Sequence, residues 1–190
     1  MMKVLSDIGE FGLIENIRKE IGKSPSVIRG IGDDTAVVPF SSTKHLLLTA
    51  DMLLEGIHFT KDMPGASIGH KAIAASISDI AAMGGMPKYA LVSLGIPEKC
   101  SLKFVSSLYR GMKKTAKTFG IYIVGGDTIK SSKIVINVTL VGEVKKSEIV
   151  YREGAREGDQ VFVTGPLGRS FSSRWHLNFV PRIAQAQYLV

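Results

Sequence analysis

The segment Ile121–Thr128, with the sequence IYIVGGDT, passes from four β-branched or aromatic residues into two glycines and an aspartate. Because the apolar run is short and free of proline, it predicts a buried β-strand. The two glycines let the backbone turn sharply and let a ligand approach closely. Asp127 is then predicted to stand at the end of the strand, where α/β proteins tend to bind ligands. The alternative is an ordinary strand followed by a Gly-Asp turn.

Three other segments carry carboxylates in comparable positions. Gly30–Asp34 (GIGDD) predicts a tight loop with two adjacent aspartates, and His45–Asp51 (HLLLTAD) predicts a second buried strand that ends on an aspartate. A helix is predicted from its N-cap Ser67 to about Met83, with Asp79 near its last turn. The helix macrodipole is negative at that end and disfavours a carboxylate, so a nearby cation would remove the conflict. For the loops, the alternative is a turn with solvated aspartates. The unfavourable position of Asp79 in its helix, by contrast, favours a metal site.

Hydrophobic periodicity divides the rest of the chain into helices and strands. Apolar residues at helical spacing predict a first helix that ends near Gly22 and a long helix between Ser101 and Gly120. Tyr89–Leu94 predicts a strand, and Lys133–Val144 predicts a long alternating strand that suits packing on helices or on a partner subunit. The pattern predicts an α/β protein of the α+β kind, with a mixed sheet packed on helices.

Composition narrows the classes of function. The chain has 190 residues, of which 45% are hydrophobic, a formal net charge of +7 and a single cysteine, Cys100. One cysteine excludes an internal disulfide and a cysteine-based zinc site. The first residues contain no apolar signal segment and no segment reaches membrane-spanning length, so a cytoplasmic location without membrane contact is expected. The positive charge would suit a nucleic-acid binder, but no aromatic residues interleave with the lysines as base stacking requires.

If the fold brings the aspartates of these four segments together, their mutual repulsion requires cations. Oxygen-only ligands suit Mg²⁺, which retains water and bridges phosphate oxygens. The chain has no phosphate-binding loop of the Walker type, because Gly22–Ser24 (GKS) lacks the glycine five residues earlier. A nucleotide would therefore be held through metal ions and scattered side chains, and phosphoryl transfer can rely on positioning and charge neutralisation.

Six motifs, in chain order, resemble those of thiamine-monophosphate kinase, an enzyme of the aminoimidazole ribonucleotide synthetase-like superfamily. They are Gly9–Phe11 (GEF), Gly30–Asp34 (GIGDD), Asp51 with Glu55–Phe59 (EGIHF), Ser78–Gly84 (SDIAAMG), Gly125–Thr128 (GGDT) and Arg152–Ala155 (REGA). The resemblance extends from about Ser6 to Gly168. Selenophosphate synthetases of the same superfamily carry a reactive cysteine or selenocysteine near the N-terminus, and this chain has none there.

The resemblance implies direct, ATP-dependent transfer of a phosphoryl group to thiamine monophosphate, which gives thiamine diphosphate, with several Mg²⁺ ions and without a covalent catalytic residue. The implied metal ligands are Asp34, Thr49, Ala50, Asp51, Asp79 and Asp127. The family usually carries a hydroxyl residue at the position of Ala50, so Ala50 could coordinate only through its backbone carbonyl. His58 is implied to contact the thiamine substrate. The implied ATP contacts are Tyr109, Gly126, Asp127 and Arg152.

The same resemblance implies an N-terminal α/β domain that binds ATP and Mg²⁺ and forms a homodimer through its sheet, followed by a second α/β domain. Residues 1–150 are predicted to form the first domain. Residues 151–190 are predicted to form the start of a truncated second domain, with a strand at Val161–Thr164. Residues 169–190, called the tail here, lose the earlier periodicity, as a non-native sequence produced by a frameshift would.

The tail carries several apolar residues, including Phe171 and Trp175, with no further layer predicted to bury them. It is therefore predicted to be poorly ordered or loosely packed. The 190-residue chain is correspondingly predicted to have little or no kinase activity. The alternative function is a catalytically incomplete, dimerising domain of the same superfamily that retains nucleotide and Mg²⁺ binding.

Overall fold

The computed structural model describes residues 4–165, 168, 170 and 172–190, so Phe171 of the tail lies outside the described residues. Within them, the helices are α1 Leu5–Ile21, α2 Gly65–Ala82, α3 Leu102–Thr118 and α4 Ile183–Leu189, with a short 3₁₀ helix at Trp175–Leu177. The strands are β1 Ala36–Pro39, β2 Lys44–Leu54, β3 Met86–Ile96, β4 Tyr122–Lys130 and β5 Val135–Lys145.

These strands form one mixed sheet in the order β1-β2-β5-β3-β4. The strand β2 pairs antiparallel with β1 and β5, β5 pairs antiparallel with β3, and β3 runs parallel to β4. The parallel pair is connected through α3, because parallel neighbours need a crossover. The predicted mixed sheet packed on helices is thereby confirmed.

One face of the sheet is buried beneath α2, which packs on β2 and β5 and also on α3. The apolar stripe of α2, formed by Ile73, Ile77 and Ile80, is fully buried. The two helices approach closely at Gly111 of α3, where a Cβ would lie 1.8 Å from the carbonyl oxygen of Ala66. The small residues of both helices therefore let α2 and α3 pack closely against each other.

The strand β4 differs from the prediction made for Ile121–Thr128. It continues past Asp127 and pairs with β3 along its length, so the two glycines do not end it. Gly126 remains within the strand at a φ of 152°, where a Cβ would lie 1.8 Å from the carbonyl oxygen of Val92. The prediction of a buried strand is also wrong, because β4 lies at the edge of the sheet and most of its residues are exposed.

The tail is more ordered than the sequence predicts. Leu177 and Ile183 are buried, α4 packs on α2, and the side-chain amide of Gln187 donates a 2.7 Å hydrogen bond to the carbonyl oxygen of Gly84. The end of α2 supplies the apolar partner surface that sequence periodicity could not reveal. Other apolar tail side chains remain exposed, as loose packing predicts. Val161–Thr164 is exposed and forms no strand, so that prediction is wrong.

Apolar side chains of α1 and of one sheet face are exposed. The helix α1 forms as predicted, but none of its residues is buried and Phe11 is 82% exposed. The sheet face opposite α2 exposes Met52, Tyr89 and Leu91, whose neighbours along the strands point into the core. Exposed apolar side chains on one sheet face are typical of an interaction site. Among the described residues, no helix combines the length and the apolar character needed to cross a membrane.

Candidate functional site

The pairing of β1 with β2 explains where the acidic segments meet. The strand β1 begins at Ala36, opposite Leu48, so the loop before it leaves the sheet beside Thr49–Asp51. From that point on, the described residues provide no strand neighbour on this edge of β2. The strand itself continues past the aspartate that was predicted to end it, because β2 still pairs with β5. The loop aspartates, the aspartate of β2 and Asp79 of α2 therefore lie around one edge of the sheet.

Two hydroxyl groups orient the carboxylates of β2 and α2. The Thr49 hydroxyl donates a 2.6 Å hydrogen bond to Oδ2 of Asp79, and the Ser76 hydroxyl donates one of 2.9 Å to Oδ2 of Asp51. Thr49 and Asp51 alternate with Ala50 along β2, so both lie on the face that α2 covers. Ser76 was not among the predicted site residues. The sequence did contain a signal for Ser76: it precedes Asp79 by three residues, and residues three apart share one helix face.

The surroundings of Asp79 disfavour its negative charge. Burial is the main cause, and the charges of Asp51 and Asp34 add to it, so the pKa of Asp79 rises from 3.8 to about 6. The hydrogen bond from Thr49 and the positive charge of Arg152 oppose this rise only in part. A cation at this place would stabilise the ionised carboxylate. The sequence leads to the same expectation, because the helix macrodipole disfavours a carboxylate near the C-terminal end of a helix.

The two adjacent aspartates of the loop have different roles. The Asp33 side chain is 3% exposed and lies 3.6 Å from Nε of Arg29. It accepts hydrogen bonds from the backbone N–H groups of Asp34, at 3.0 Å, and of Arg152, at 3.3 Å. The Asp34 side chain is 25% exposed, and its Oδ1 accepts a 2.5 Å hydrogen bond from Nη2 of Arg152. Asp33 therefore fixes the loop, and Asp34 is the carboxylate accessible to a ligand.

A further set of contacts fixes the segment that carries Arg152. The guanidinium of Arg29 lies over the ring of Tyr151, 4.7 Å from its centroid, and forms an ion pair with Glu153. Because Arg29 also pairs with the buried loop carboxylate, one side chain links the loop to residues on both sides of Arg152. Each of these partly exposed contacts contributes little by itself. Together they hold Arg152 beside Asp34.

The acidic cluster, formed by Asp34, Asp51 and Asp79, brings three carboxylates to one region of the sheet edge. In the part of the chain that the structure describes, no three acidic, histidine or cysteine side chains are grouped closely enough to hold a metal ion by themselves. The donors nearest one another are all oxygen atoms, with the hydroxyl of Thr49 among them. Such a donor set suits Mg²⁺ better than a softer metal. Arg152 supplies the positive charge beside Asp34.

The other predicted metal and nucleotide residues lie apart from the acidic cluster. The side chain of Ala50 is exposed on the opposite face of the sheet, so only its backbone belongs to the site. Asp127 is three strands away from Asp51, which at about 4.8 Å per strand is roughly 14 Å. Gly126 accompanies Asp127 in β4, and Tyr109 of α3 is partly buried against the core. The structure does not bring these residues together with the acidic cluster.

His58 lies in the loop between β2 and α2. Its Nδ1 accepts a 3.0 Å hydrogen bond from the backbone N–H of Leu54, and its own backbone N–H donates a 2.9 Å hydrogen bond to the carbonyl oxygen of Leu54. Because Nδ1 is an acceptor, Nε2 carries the ring hydrogen. Phe59 is fully buried, and Gly56 has a φ of 84°, so the loop is both anchored and tightly turned. His58 therefore carries an N–H donor on the side of its ring away from the backbone.

Residues 32–144 match the family described as AIR synthase related protein, N-terminal domain. The chain is 46% identical over 166 residues to the thiamine-monophosphate kinase of Aquifex aeolicus (strain VF5) and 40% identical over 163 residues to that of Bacillus subtilis (strain 168). These alignments cover 87% and 85% of this chain but 52% and 50% of the relatives. The chain thus spans about half the length of the curated relatives it matches.

Solved structures share the fold. AaThiL complexed with AMPPCP and TMP has a TM-score of 0.86 at 37% identity, with 100% of this chain and 64% of that chain covered. Thiamine monophosphate kinase from Aquifex aeolicus has a TM-score of 0.82 at 35% identity, with 98% and 65% covered. The family match includes the loop carboxylates, β2 and α2, which form the acidic cluster. The chain therefore belongs to the family of AIR synthase related proteins, and it carries their N-terminal domain at residues 32–144.

Proposed function

We propose that this chain belongs to a thiamine-monophosphate kinase, in which the acidic cluster binds Mg²⁺ and ATP for direct phosphoryl transfer to thiamine monophosphate. The observation that carries the proposal is the burial of the Asp79 carboxylate beside Asp51 and Asp34: burial first, and these two charges in addition, raise its pKa to about 6 and favour a bound cation. The names of the most similar relatives, and the AMPPCP and TMP bound to AaThiL, support the assignment of the reaction.

Mg²⁺ ions, when bound, would bridge phosphate oxygens and neutralise the charge that develops in phosphoryl transfer. The acidic cluster would hold them. Thr49 and Ser76 would keep the carboxylates of Asp79 and Asp51 oriented through the hydrogen bonds they already donate. Ala50 would contribute its backbone carbonyl oxygen, since its side chain has no donor atom.

Arg152 would exchange one partner for another. In the protein without ligands its guanidinium pairs with Asp34. With a cation bound at Asp34, Arg152 would be free to pair with a phosphate of ATP, for which the planar guanidinium is well suited. Arg152 would thus contribute to nucleotide binding only once metal is present.

Tyr109, Gly126 and Asp127 are proposed as further contacts along the nucleotide, with Asp127 also a metal ligand. Their support is the motif resemblance and the family match. An extended triphosphate with more than one metal ion would span the roughly 14 Å between Asp127 and the acidic cluster. The missing Cβ of Gly126 leaves room for close backbone approach.

The thiamine monophosphate would contact His58. The ring hydrogen on Nε2 makes His58 a donor to an acceptor atom of this substrate, and a neutral imidazole can make that contact without a proton transfer. The loop that holds His58 follows directly from β2, which carries two of the proposed metal contacts. Substrate and metal would therefore be bound by neighbouring parts of one strand and its loop.

A homodimer and a cytoplasmic location complete the proposal. The exposed apolar face of the sheet, with Met52, Tyr89 and Leu91, supports pairing with a second copy of the chain. The homodimer is also implied by the resemblance of the motifs to the kinase family.

The alternative function is a catalytically incomplete domain that dimerises and binds nucleotide and Mg²⁺ without turnover. The two functions share every binding property and differ in one readout, the formation of thiamine diphosphate from ATP and thiamine monophosphate.

The test is a calorimetric titration of thiamine monophosphate into the chain with Mg²⁺ and a non-hydrolysable ATP analogue, beside the same titration with thiamine. We expect thiamine monophosphate to bind about tenfold or more tightly than thiamine, because the phosphate adds charge-assisted contacts. Asp51→Asn should weaken this binding, whereas Lys103→Met, at an exposed position of α3, should not. Equal binding of the two ligands would contradict the substrate assignment. An assay of thiamine diphosphate formation then separates the kinase from the incomplete domain.

A further inference from the structure

A lysine outside the acidic cluster holds the loop that carries His58. Nζ of Lys71, in the second turn of α2, donates a 2.7 Å hydrogen bond to the backbone carbonyl oxygen of His58. The same ammonium group lies 2.8 Å from Nδ1 of His176 in the tail. Lys71 is only partly exposed, and burial lowers its pKa. One side chain thus links α2, the loop that carries His58 and the tail.

A partly buried ammonium group is unfavourable unless its hydrogen bonds are made. An apolar side chain such as methionine would fill the same space without that cost. The ammonium of Lys71 adds a charge-assisted hydrogen bond to one particular carbonyl oxygen, a bond that is stronger than a neutral one. The contact with His58 is therefore a directional constraint on the loop and not only packing.

The remaining hydrogen bonds of the loop show what this constraint achieves. Leu54 binds both the backbone N–H and Nδ1 of His58, and Gly56 donates a 2.8 Å hydrogen bond to the carbonyl oxygen of Phe59. With Lys71 on the carbonyl oxygen, three of the four polar atoms of His58 are held by the protein. The fourth is Nε2, which carries the ring hydrogen. The Nδ1 hydrogen bond from Leu54 fixes the ring, and the Lys71 hydrogen bond holds the backbone from which the ring extends, so the two together set the direction of the Nε2–H bond.

We propose that Lys71 is a positioning residue for substrate binding, because its ammonium group clamps the carbonyl of His58 and so directs the Nε2–H of His58 toward thiamine monophosphate. The inference rests on the proposed function in one respect, which is the contact between His58 and the substrate. The clamp itself is a property of the chain alone. His176 limits the movement of the ammonium group from the other side.

The test compares Lys71→Met with the unmodified chain. The substitution keeps the apolar stem and removes the donor, so we expect amide hydrogen exchange at His58 to become about tenfold faster. The nitrogen NMR signals of the His58 ring should also lose the distinct pattern of the Nε2–H tautomer. Affinity for thiamine monophosphate should fall about tenfold, while affinity for the Mg²⁺-bound ATP analogue stays unchanged. A purely structural role for Lys71 would weaken both ligands together.

Three further variants make the test decisive. Lys71→Arg keeps a cationic donor and should restore most of the affinity for thiamine monophosphate, whereas Lys103→Met removes an exposed charge and should change neither readout. If Lys71→Met does not fold, Lys71→Gln is measured in its place, because its shorter side chain cannot reach the carbonyl. Unchanged hydrogen exchange at His58 would overturn the clamp. Faster exchange with unchanged affinity for thiamine monophosphate would overturn its role in substrate binding.

The two levels of the inference fail separately. If the unmodified chain does not bind thiamine monophosphate at all, the proposed substrate is wrong, yet hydrogen exchange at His58 still decides whether Lys71 holds the loop. If the unmodified chain binds thiamine monophosphate and Lys71→Met binds it equally well, the proposed function stands and the positioning role does not.

Discussion

At the scale of single residues, Asp79 is the position where the electrostatics of the site are most visible. Its carboxylate is buried near Asp51 and Asp34, and its pKa of about 6 lies above the ordinary 3.8. Between about pH 4 and pH 6 the folded protein therefore keeps a proton that the unfolded chain has lost. Stability falls as the pH rises through this window, and the full penalty remains above pH 6.

Asp79→Asn should raise the free energy of unfolding of the metal-free protein at pH 8 by about 1 kcal/mol, because it removes the charge while its side-chain oxygen can still accept the Thr49 hydrogen bond. That change corresponds to a rise in Tm of about 2–4 °C. At a pH of about 2, well below the ordinary pKa of 3.8, the gain should vanish, since both states then hold the proton. Thermal melts in the presence of a chelator at both pH values provide the measurement.

Asp127→Asn is the matched control for this prediction. Asp127 lies in the exposed strand β4, where the same loss of charge should change the free energy of unfolding by less than about 0.5 kcal/mol. A loss of stability at pH 8 in Asp79→Asn would mean that the carboxylate stabilises the metal-free fold. The crowding of charge would then be no argument for a metal ion.

At the scale of elements, the two glycines of β4 differ sharply. A Cβ at Gly126 would lie 1.8 Å from the carbonyl oxygen of Val92, and its φ of 152° is unfavourable for other residues. A Cβ at Gly125 would lie 3.2 Å from the flexible end of the Leu91 side chain. We expect Gly126→Ala to reduce the free energy of unfolding by more than about 2 kcal/mol, and Gly125→Ala by less than about 1 kcal/mol. Urea unfolding of both variants distinguishes them, and equal losses would contradict the described register.

Local sequence signals predicted some elements well, but the N-cap at Ser67 is wrong, because α2 begins at Gly65 after Pro64. The cap at Ser101 is confirmed by the 3.2 Å hydrogen bond that its hydroxyl accepts from the backbone N–H of Phe104. The burial of the apolar stripe of α2 is confirmed as well. The ends of β2 and β4 were placed too early, because a glycine or aspartate does not end a strand whose neighbour continues to pair with it.

The site shows the same division between local and long-range causes. The sequence indicates that Asp79 lies near the end of a helix. It also indicates that Thr49 and Asp51, two residues apart in one strand, lie on the same face. Which of the two loop aspartates is accessible depends on the distant Arg152 and could not be read from adjacent residues. The clamp by Lys71 was hidden for the same reason, since a lysine beside alanines on a helix looks like a surface residue.

At the scale of the whole molecule, the chain combines an acidic cluster at one sheet edge with a large exposed apolar face. The first feature suits a metal-bound nucleotide, and the second suits a second copy of the chain. The formal net charge of +7 favours anionic ligands in general, so electrostatic attraction alone would also draw ATP to the surface. Specific binding must therefore be separated from general attraction by its dependence on Mg²⁺.

The central claim, that the acidic cluster binds nucleotide through metal ions, is tested most directly by titrating a non-hydrolysable ATP analogue with and without Mg²⁺ in the calorimeter at constant ionic strength. We expect Mg²⁺ to strengthen binding of the analogue about tenfold or more, and the analogue to strengthen Mg²⁺ binding by the same factor, because the coupling is reciprocal. Asp79→Asn should abolish most of this coupling. Equal affinity for the analogue with and without Mg²⁺ would contradict the claim.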